Sequence, residues 1–382
     1  MKINRSFATV LLSATLCFLL TFLVSAAWPQ AEAPKKQQII TFDAPGAGTG
    51  AGQGTFPVGI NPPGAIIGWI TDASNVNHGL LRAPNGTFTS FDAPGSGTGR
   101  GQGTQAWGIN AAGAITGRFQ DATNVLHGFL RAPDGTIITF DVPGVSPVQG
   151  AGAGNINSEG TITGAYPDTN NVWHVFLRAP DGAFTIFDIS GAGTGAGQGT
   201  FTAAFAAINP GGAITGWYVD TSNVSHGYVR TRDGAITKFD VPTAGTDPGQ
   251  GTVALSINPR GETTGYYLDA SNVLHGFLKG PDGIFTSFDA PGAGTGAGYG
   301  TIAATNNPAG AVTGFDLDSN NVFHGFLRAP DGTITVFDAP GAGTGAFQGT
   351  LSQANNPAGK ITGNYTDASY VNHGFLRNRS EE

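Results

Sequence analysis

The sequence predicts an all-β fold: a seven-bladed β-propeller of four-stranded blades, closed by an N-terminal strand that pairs with the C-terminal blade. Three recurring markers predict it. All seven histidines (His78, His127, His174, His226, His275, His324 and His373) sit in one context, at intervals of 49, 47, 52, 49, 49 and 49 residues. A Phe-Asp pair also recurs, with its aspartates at Asp43, Asp92, Asp141, Asp188, Asp240, Asp289 and Asp338. An asparagine before a turn completes the set, at Asn61, Asn110, Asn157, Asn209, Asn258, Asn307 and Asn356. Repetition at such a period marks a propeller or a solenoid.

The spacings separate packed units from connections. Asparagine to histidine is 17 residues in every copy, and histidine to the next Phe-Asp aspartate is 14 in the six copies that have one. Only the Gly-rich stretch from aspartate to asparagine varies: 18 residues in five copies, 16 in the third and 21 in the fourth. Surface connections tolerate insertion where paired strands do not. The variable stretch is therefore read as a flexible crossing between blades.

Each copy divides into four extended segments. In the first full one, Thr55–Ile60 leads to the turn Asn61-Pro-Pro-Gly64, and Ala65–Thr71 ends at Asp72-Ala-Ser-Asn75. Val76–Arg82 runs to Ala83-Pro-Asn-Gly86, and Thr87–Asp92 feeds the Gly-rich crossing. The segments are rich in Ile, Val, Thr, Phe and Tyr, and the turns carry Pro, Gly, Asn and Asp. Closure follows from the phase of the repeat. Gln38–Asp43 is an orphan fourth strand and His373–Arg377 an orphan third. Their pairing completes the seventh blade and covers two open edges, which an open solenoid would leave bare.

The N-terminus reads as an export signal over residues 1–27. Lys2 and Arg5 precede an apolar stretch from Phe7 to Val24, with small residues at Ser25, Ala26 and Ala27. An uncleaved anchor is the other reading of this long apolar run. Thr15 and Leu16 before Cys17 argue against a lipoprotein box, and Cys17 is the only cysteine, so the mature chain has no disulfide. Residues 28–37 are a linker, 38–377 one propeller and 378–382 a tail. Cleavage takes the net charge from −8 to −10, and basic clusters are absent, which excludes nucleic acid and anionic membrane surfaces as partners. Gly at 61 residues and charged residues at only 12% exclude coiled coils and charged disordered tails.

Ile-Asn-x-x-Gly-x-Ile-x-Gly, a polar turn, His-Gly-Phe-Leu-Arg and a closing Asp resemble the HAF-type extracellular repeats of bacteria, over Gln38 to Arg377. The family's His-Ala-Phe reads His-Gly-Phe at His127, His275, His324 and His373, His-Gly-Leu at His78, His-Val-Phe at His174 and His-Gly-Tyr at His226. The resemblance implies export and tandem β repeats, and no activity.

The repeated residues have structural readings. Seven histidines on seven blades lie too far apart to share a metal ion. They are expected to be half-buried and bonded within their own blade, to the Asp of the preceding turn. The glycine that follows all but His174 would admit a neighbouring aromatic or backbone. The turns Asp72/Asn75, Asp121/Asn124, Asp168/Asn171, Asp220/Asn223, Asp269/Asn272, Asp318/Asn321 and Asp367 lack the carboxylate ladder of a calcium loop and suit hairpin closure, with ligand contact the second reading. The Gly-rich crossing lacks the Lys and the helix of a phosphate loop. Arg82, Arg131, Arg178, Arg230, Arg328 and Lys279 are candidates to pair with the Phe-Asp aspartates, although register decides it. The Pro-Asp-Gly turns lack the flanking Ser and Trp of a sialidase Asp-box.

Crossings and Asp-Asn turns should share one end of the molecule, broad, polar and repeated sevenfold. The expected function is therefore a non-enzymatic, monomeric binding or scaffold module of the cell exterior or periplasm, without cofactor or metal. A glycan or cell-envelope protein is its expected partner, through multivalent weak contacts. The alternatives are a hydrolase or lyase sited at the mouth of the central channel, and a purely structural matrix component. An enzyme requires a unique charged or aromatic cluster in one or two blades. The irregularities read from the sequence, Val145–Val148, Phe201–Ala207 and Trp173, bring no catalytic set.

Overall fold

The computed structural model describes residues 38–145, 149–203 and 206–379. Residues 1–37, where the export signal and linker are expected, lie outside the described residues, as do 146–148 and 204–205 of the two irregular stretches and the end of the expected tail. No helix among the described residues is long and apolar enough to cross a membrane.

The described residues form 28 strands, which fall into seven antiparallel groups of four, a propeller-like all-β arrangement. In the first blade the strands are Gly54–Ile60, Ile66–Thr71, Asn77–Arg82 and Phe88–Phe91. The second blade has Gly103–Ile109, Ile115–Gln120, Leu126–Arg131 and Ile137–Phe140. The seventh has only Gly349–Asn355, Ile361–Thr366 and Asn372–Arg377 in sequence order, and its fourth strand is Ile39–Phe42. That strand pairs antiparallel with Asn372–Arg377, with Ile39 opposite Arg377 and Phe42 opposite Gly374. Asn378 N donates to Gln38 O at 3.0 Å, the same bond that Ala83 N makes to Thr87 O in the first blade.

The first strand of each blade is innermost. Residues of these strands or their ends from six blades, among them Val58, Trp107, Asn155, Ala206, Thr305 and Asn355, line one small cavity of about 90 Å³. In six of the blades the pairing of first and second strands slips by one residue, as between Pro57 and Gly59. Such a bulge kinks the strand and increases its twist. Apolar cores form between successive blades: Val58 and Ile67 pack with Ala106, Ile115 and Phe129. Ile39 packs with Ile361 and Phe375 at the chain's two ends.

Three repeated contacts tie blade to blade. The asparagine marker is the first. Asn61 Nδ2 donates to Asn110 O at 3.2 Å, and the pattern runs Asn110 to Asn157, Asn209 to Asn258, Asn258 to Asn307 and Asn307 to Asn356. Asn356 Nδ2 then donates to Asn61 O at 3.2 Å, across 295 residues. Only Asn157 breaks the series; its buried Nδ2 has no partner among the described residues, beside the longest crossing.

The second contact overturns an expected ion pair. Register sets Arg82 opposite Phe88, not Asp92, and the guanidinium lies 4.9 Å over the Phe42 ring. Arg131, Arg178, Arg230, Lys279, Arg328 and Arg377 lie likewise over Phe91, Phe140, Phe187, Phe239, Phe288 and Phe337 of the neighbouring blade. Each such cation–π contact is worth about 0.5–2 kcal/mol.

The third contact is glycine-dependent. Gly54, at the head of its strand, has φ 120°, and a Cβ there would collide with the carbonyl oxygen of Asn372 in the adjoining blade. The glycine after six of the seven histidines serves the expected purpose within its blade; Val175 stands there in the third. At Gly79 a Cβ would fall 2.6 Å from the Phe91 ring, which lies across the backbone there.

Candidate functional site

The crossings and the Asp-Asn turns meet at one end. Gly48 N donates to Thr71 O, and Gly101 N to the carbonyl of Asn75 in the preceding blade. The Asn-Pro and Pro-Asp-Gly turns occupy the other end, where Arg232 of the fourth blade pairs with Glu159 of the third at 2.9 Å.

On the crossing face the repeated side chains are engaged with one another. Asp72 Oδ1 accepts from Ser74 N and Val76 N, both at 2.8 Å, so the carboxylate closes its own hairpin. Asn75 occupies the left-handed region at φ 63°, and Asn124, Asn171, Asn223, Asn272 and Asn321 do the same. Tyr370 takes this conformation where the seventh blade lacks the asparagine. Asn75 Oδ1 accepts from Gln53 Nε2 at 3.3 Å, while Gly50 N donates to Gln53 Oε1 at 2.8 Å. Gln102, Gln198 and Gln250 repeat both bonds, so these four crossings are pinned at both ends of a glutamine, contrary to a flexible connection. Ala44 N also donates to the buried Thr55 Oγ1.

The histidines are half-buried, but their shorter bond is not to the preceding turn. His78 Nδ1 donates to Asp92 at 3.0 Å, because register places the Phe-Asp aspartate beside it. The same bond joins His127 to Asp141, His174 to Asp188, His226 to Asp240, His275 to Asp289, His324 to Asp338 and, between the chain's two ends, His373 to Asp43. The turn aspartate stands on the other side, 3.4–3.9 Å from Nε2, as Asp72 does at 3.6 Å and Asp318 at 3.9 Å. At Asp121 a backbone donor dominates: the Val125 N–H, with Thr123 and His127, holds its carboxyl down at about 2 against some desolvation. Among the described residues no three His, Cys, Asp or Glu gather so as to hold a metal ion.

Two places break the repeat, and of their residues the sequence singled out only Trp173, at the second. The first is Asp316. Opposite each histidine on the second strand stands Ile70, Phe119, Tyr166, Tyr218, Tyr267 or Tyr365, and several of these rings stack on the imidazole. The sixth blade has Asp316 there, opposite His324 and with 0% exposure. Neither of its oxygens has a partner among the described residues. Burial pushes its carboxyl up to about 7; His324 opposes the rise, and Asp338 and Asp318 add to it.

The second break is a hollow of about 150 Å³ between the second, third and fourth blades, at the crossing end. Small residues create it. At the position of Phe56, Phe201 and Ile302 the third blade has Gly152, and at that of Trp69, Trp217 and Phe315 it has Ala165. Trp107, Trp173 and Arg118 line the space so left. A Cβ on Gly152 would lie 3.1 Å from Arg118 Cδ, so the glycine also makes room for the arginine stem. Arg118 Nε donates to Gln105 Oε1 at 3.0 Å, and its guanidinium lies 5.1 Å from the Trp107 ring centroid. The signal in the sequence was a single arginine at an otherwise mostly aromatic repeat position.

No protein-family model matches the sequence, and no curated protein does. Among solved structures the chain is similar to virginiamycin B lyase from Staphylococcus aureus, at 15% identity and a TM-score of 0.54 over 89% of this chain and 99% of that one. It is also similar to the β-propeller domain of the Trilobed protease from Pyrococcus furiosus, at 9% identity and a TM-score of 0.49 over 86% and 97%. A third is the fucose-recognising lectin of Aleuria aurantia, a six-bladed β-propeller, at 14% identity and a TM-score of 0.41 over 79% and 94%. At these identities the likeness is one of fold alone, and the propeller-like arrangement rests on the seven groups of four strands.

Proposed function

We propose that this chain is an exported, non-enzymatic binding module of the HAF-type repeat class, whose seven blades close into a ring and which engages a glycan or envelope partner through its crossing face. Pairing of Ile39–Phe42 with Asn372–Arg377 and the bond from Asn356 to Asn61 support closure. One observation carries the binding role. The hollow that interrupts the crossing face holds a guanidinium and two indoles, and its lining includes no carboxylate, imidazole or thiol. Arginine does not give up its proton, so such a lining can hold a ligand but cannot run general acid–base chemistry. The repeated imidazoles and carboxylates, for their part, are bonded to each other in every blade. The axial cavity is lined by no titratable side chain either.

A second reading, a hydrolase or lyase, draws on Asp316, a carboxyl poised near neutrality beside an imidazole. Its complete burial weighs against contact with substrate. Glycan-array and envelope-fraction binding by the purified protein, with products analysed in the same wells, tests both. Saturable, ligand-selective binding without turnover is expected. A flat response across all sugars removes the glycan partner, and product formation removes the non-enzymatic role.

A further inference from the structure

Arg118 is a charge that the repeat does not explain. The equivalent positions hold Trp69, Ala165, Trp217, Tyr266, Phe315 and Asn364. Its guanidinium is half-buried, and among the described residues only its Nε is bonded to a side chain, the neutral Gln105. Among the described residues no carboxylate lies within 4.0 Å of it. Burial lowers its pKa, yet a guanidinium stays protonated at any pH the fold meets. A half-buried cation without a counter-charge is costly, and an anion in the hollow would relieve that cost. Trp107 lines both this hollow and the cavity beside the first strands, and its buried indole N–H has no acceptor among the described residues.

We infer that this hollow binds an acidic sugar, a hexuronate, with the guanidinium fork on its carboxylate and its ring against the indoles of Trp107 and Trp173. The inference rests on the binding role proposed above and names the ligand class for it. Three features select that chemistry. The site offers one cation, so a monoanion is neutralised where a phosphate dianion would carry an uncompensated charge into a half-buried space. The guanidinium presents paired donors that match a carboxylate. Indoles supply broad apolar faces with a polar edge, suited to a ring that is itself amphipathic. The hollow lies at the crossing end, among the residues that open the first strand and close the second, and so faces the surface assigned to ligands.

Titration of the full chain with sodium glucuronate, glucose, inorganic phosphate and a short oligouronate, followed by tryptophan fluorescence and calorimetry, tests this. Glucuronate should bind saturably with a Kd on the order of 1 mM. Glucose and phosphate should bind at least tenfold more weakly. A tighter oligouronate identifies an acidic polysaccharide as the source, and equal affinity identifies the free sugar; both support the site. Arg118→Gln should abolish binding, and Arg118→Lys should weaken it at least tenfold, since an ammonium has no fork. Ala165→Phe keeps the arginine and fills the hollow as other blades do, so it should also abolish binding while the protein melts as before. That variant keeps the inference testable should Arg118→Gln misfold. The inference is overturned by equal binding of glucose, by tighter binding of phosphate, by no saturable signal, or by unchanged affinity in Ala165→Phe. Glycan-array binding that persists when glucuronate fails overturns the ligand class alone and leaves the binding role standing.

Discussion

At the scale of single residues, Asp316 is the one place where the repeat puts a carboxyl into an aromatic slot. Its ordinary pKa is 3.8 and its folded value about 7, so between these values the native state holds a proton that the unfolded chain releases. Stability from this group is therefore full below about pH 4 and is lost as pH rises toward 7, by on the order of 4 kcal/mol. The turn aspartates have the opposite sign: Asp121, held at about 2, contributes above its unfolded value and loses that contribution as pH falls. Urea unfolding at pH 4.5 and pH 7.5 should show Asp316→Asn and Asp316→Tyr gaining stability over the parent at the higher pH, with a flatter pH dependence. Parallel curves for parent and variants would mean that Asp316 is not buried in its charged form. The residue was legible only after the fold was known, because alternation alone does not say that Tyr267 and Asp316 share a slot facing a histidine.

At the scale of strands and turns, the sequence announced more than it explained. Constant 17- and 14-residue spacings located all four strands of a blade to within a residue at most ends: Gly54–Ile60 against the expected Thr55–Ile60, and Phe88–Phe91 against Thr87–Asp92. The sharing of one end by crossings and Asp-Asn turns was also legible, since hairpins alternate ends. Partners were not. The aspartate of Phe-Asp goes to His78 and leaves Arg82 to the Phe42 ring, a choice fixed by a register that no turn residue reveals. The asparagine marker looked like turn chemistry and proves also to be a blade-to-blade link. That double role gives a prediction. Asn110→Ala removes a buried bond to Asn157 O, whereas Asn157→Ala removes an amide with no partner at that nitrogen. Urea unfolding should find Asn110→Ala the more costly by about 1 kcal/mol. Equal losses would reduce the asparagine to its local turn, where Asn110 Oδ1 accepts from Ala114 N and Asn157 Oδ1 from Thr161 N.

At the scale of the molecule, regularity and its interruptions divide the work. Seven cation–π contacts, six asparagine links and the inter-blade cores supply a frame in which any one blade resembles the next. The hollow at Arg118 depends on that frame while departing from it, since a glycine and an alanine in the third blade open space only because neighbouring blades hold their bulk in place. The sequence displayed Trp173 as an irregularity, but Gly152 and Ala165 gave no sign, because in a chain with 61 glycines a missing side chain is inconspicuous. Sites made by subtraction are hard to read from composition.

The bond from Asn378 to Gln38 has a consequence of its own. It reproduces the frame of the turn between Ala83 and Thr87, so Gln38 and Asn378, the two ends of the repeat region, stand as the banks of one hairpin that lacks a Pro-Asn-Gly span. Bridging them with Pro-Asp-Gly and cutting instead between Gly97 and Thr98 should yield a circular permutant with the parent's far-ultraviolet circular dichroism and a melting temperature within a few degrees. A permutant that fails to fold would argue against the closed ring. In a permutant that folds, first and last would be labels of synthesis only, and the seven crossings would be interchangeable doors into the same circle.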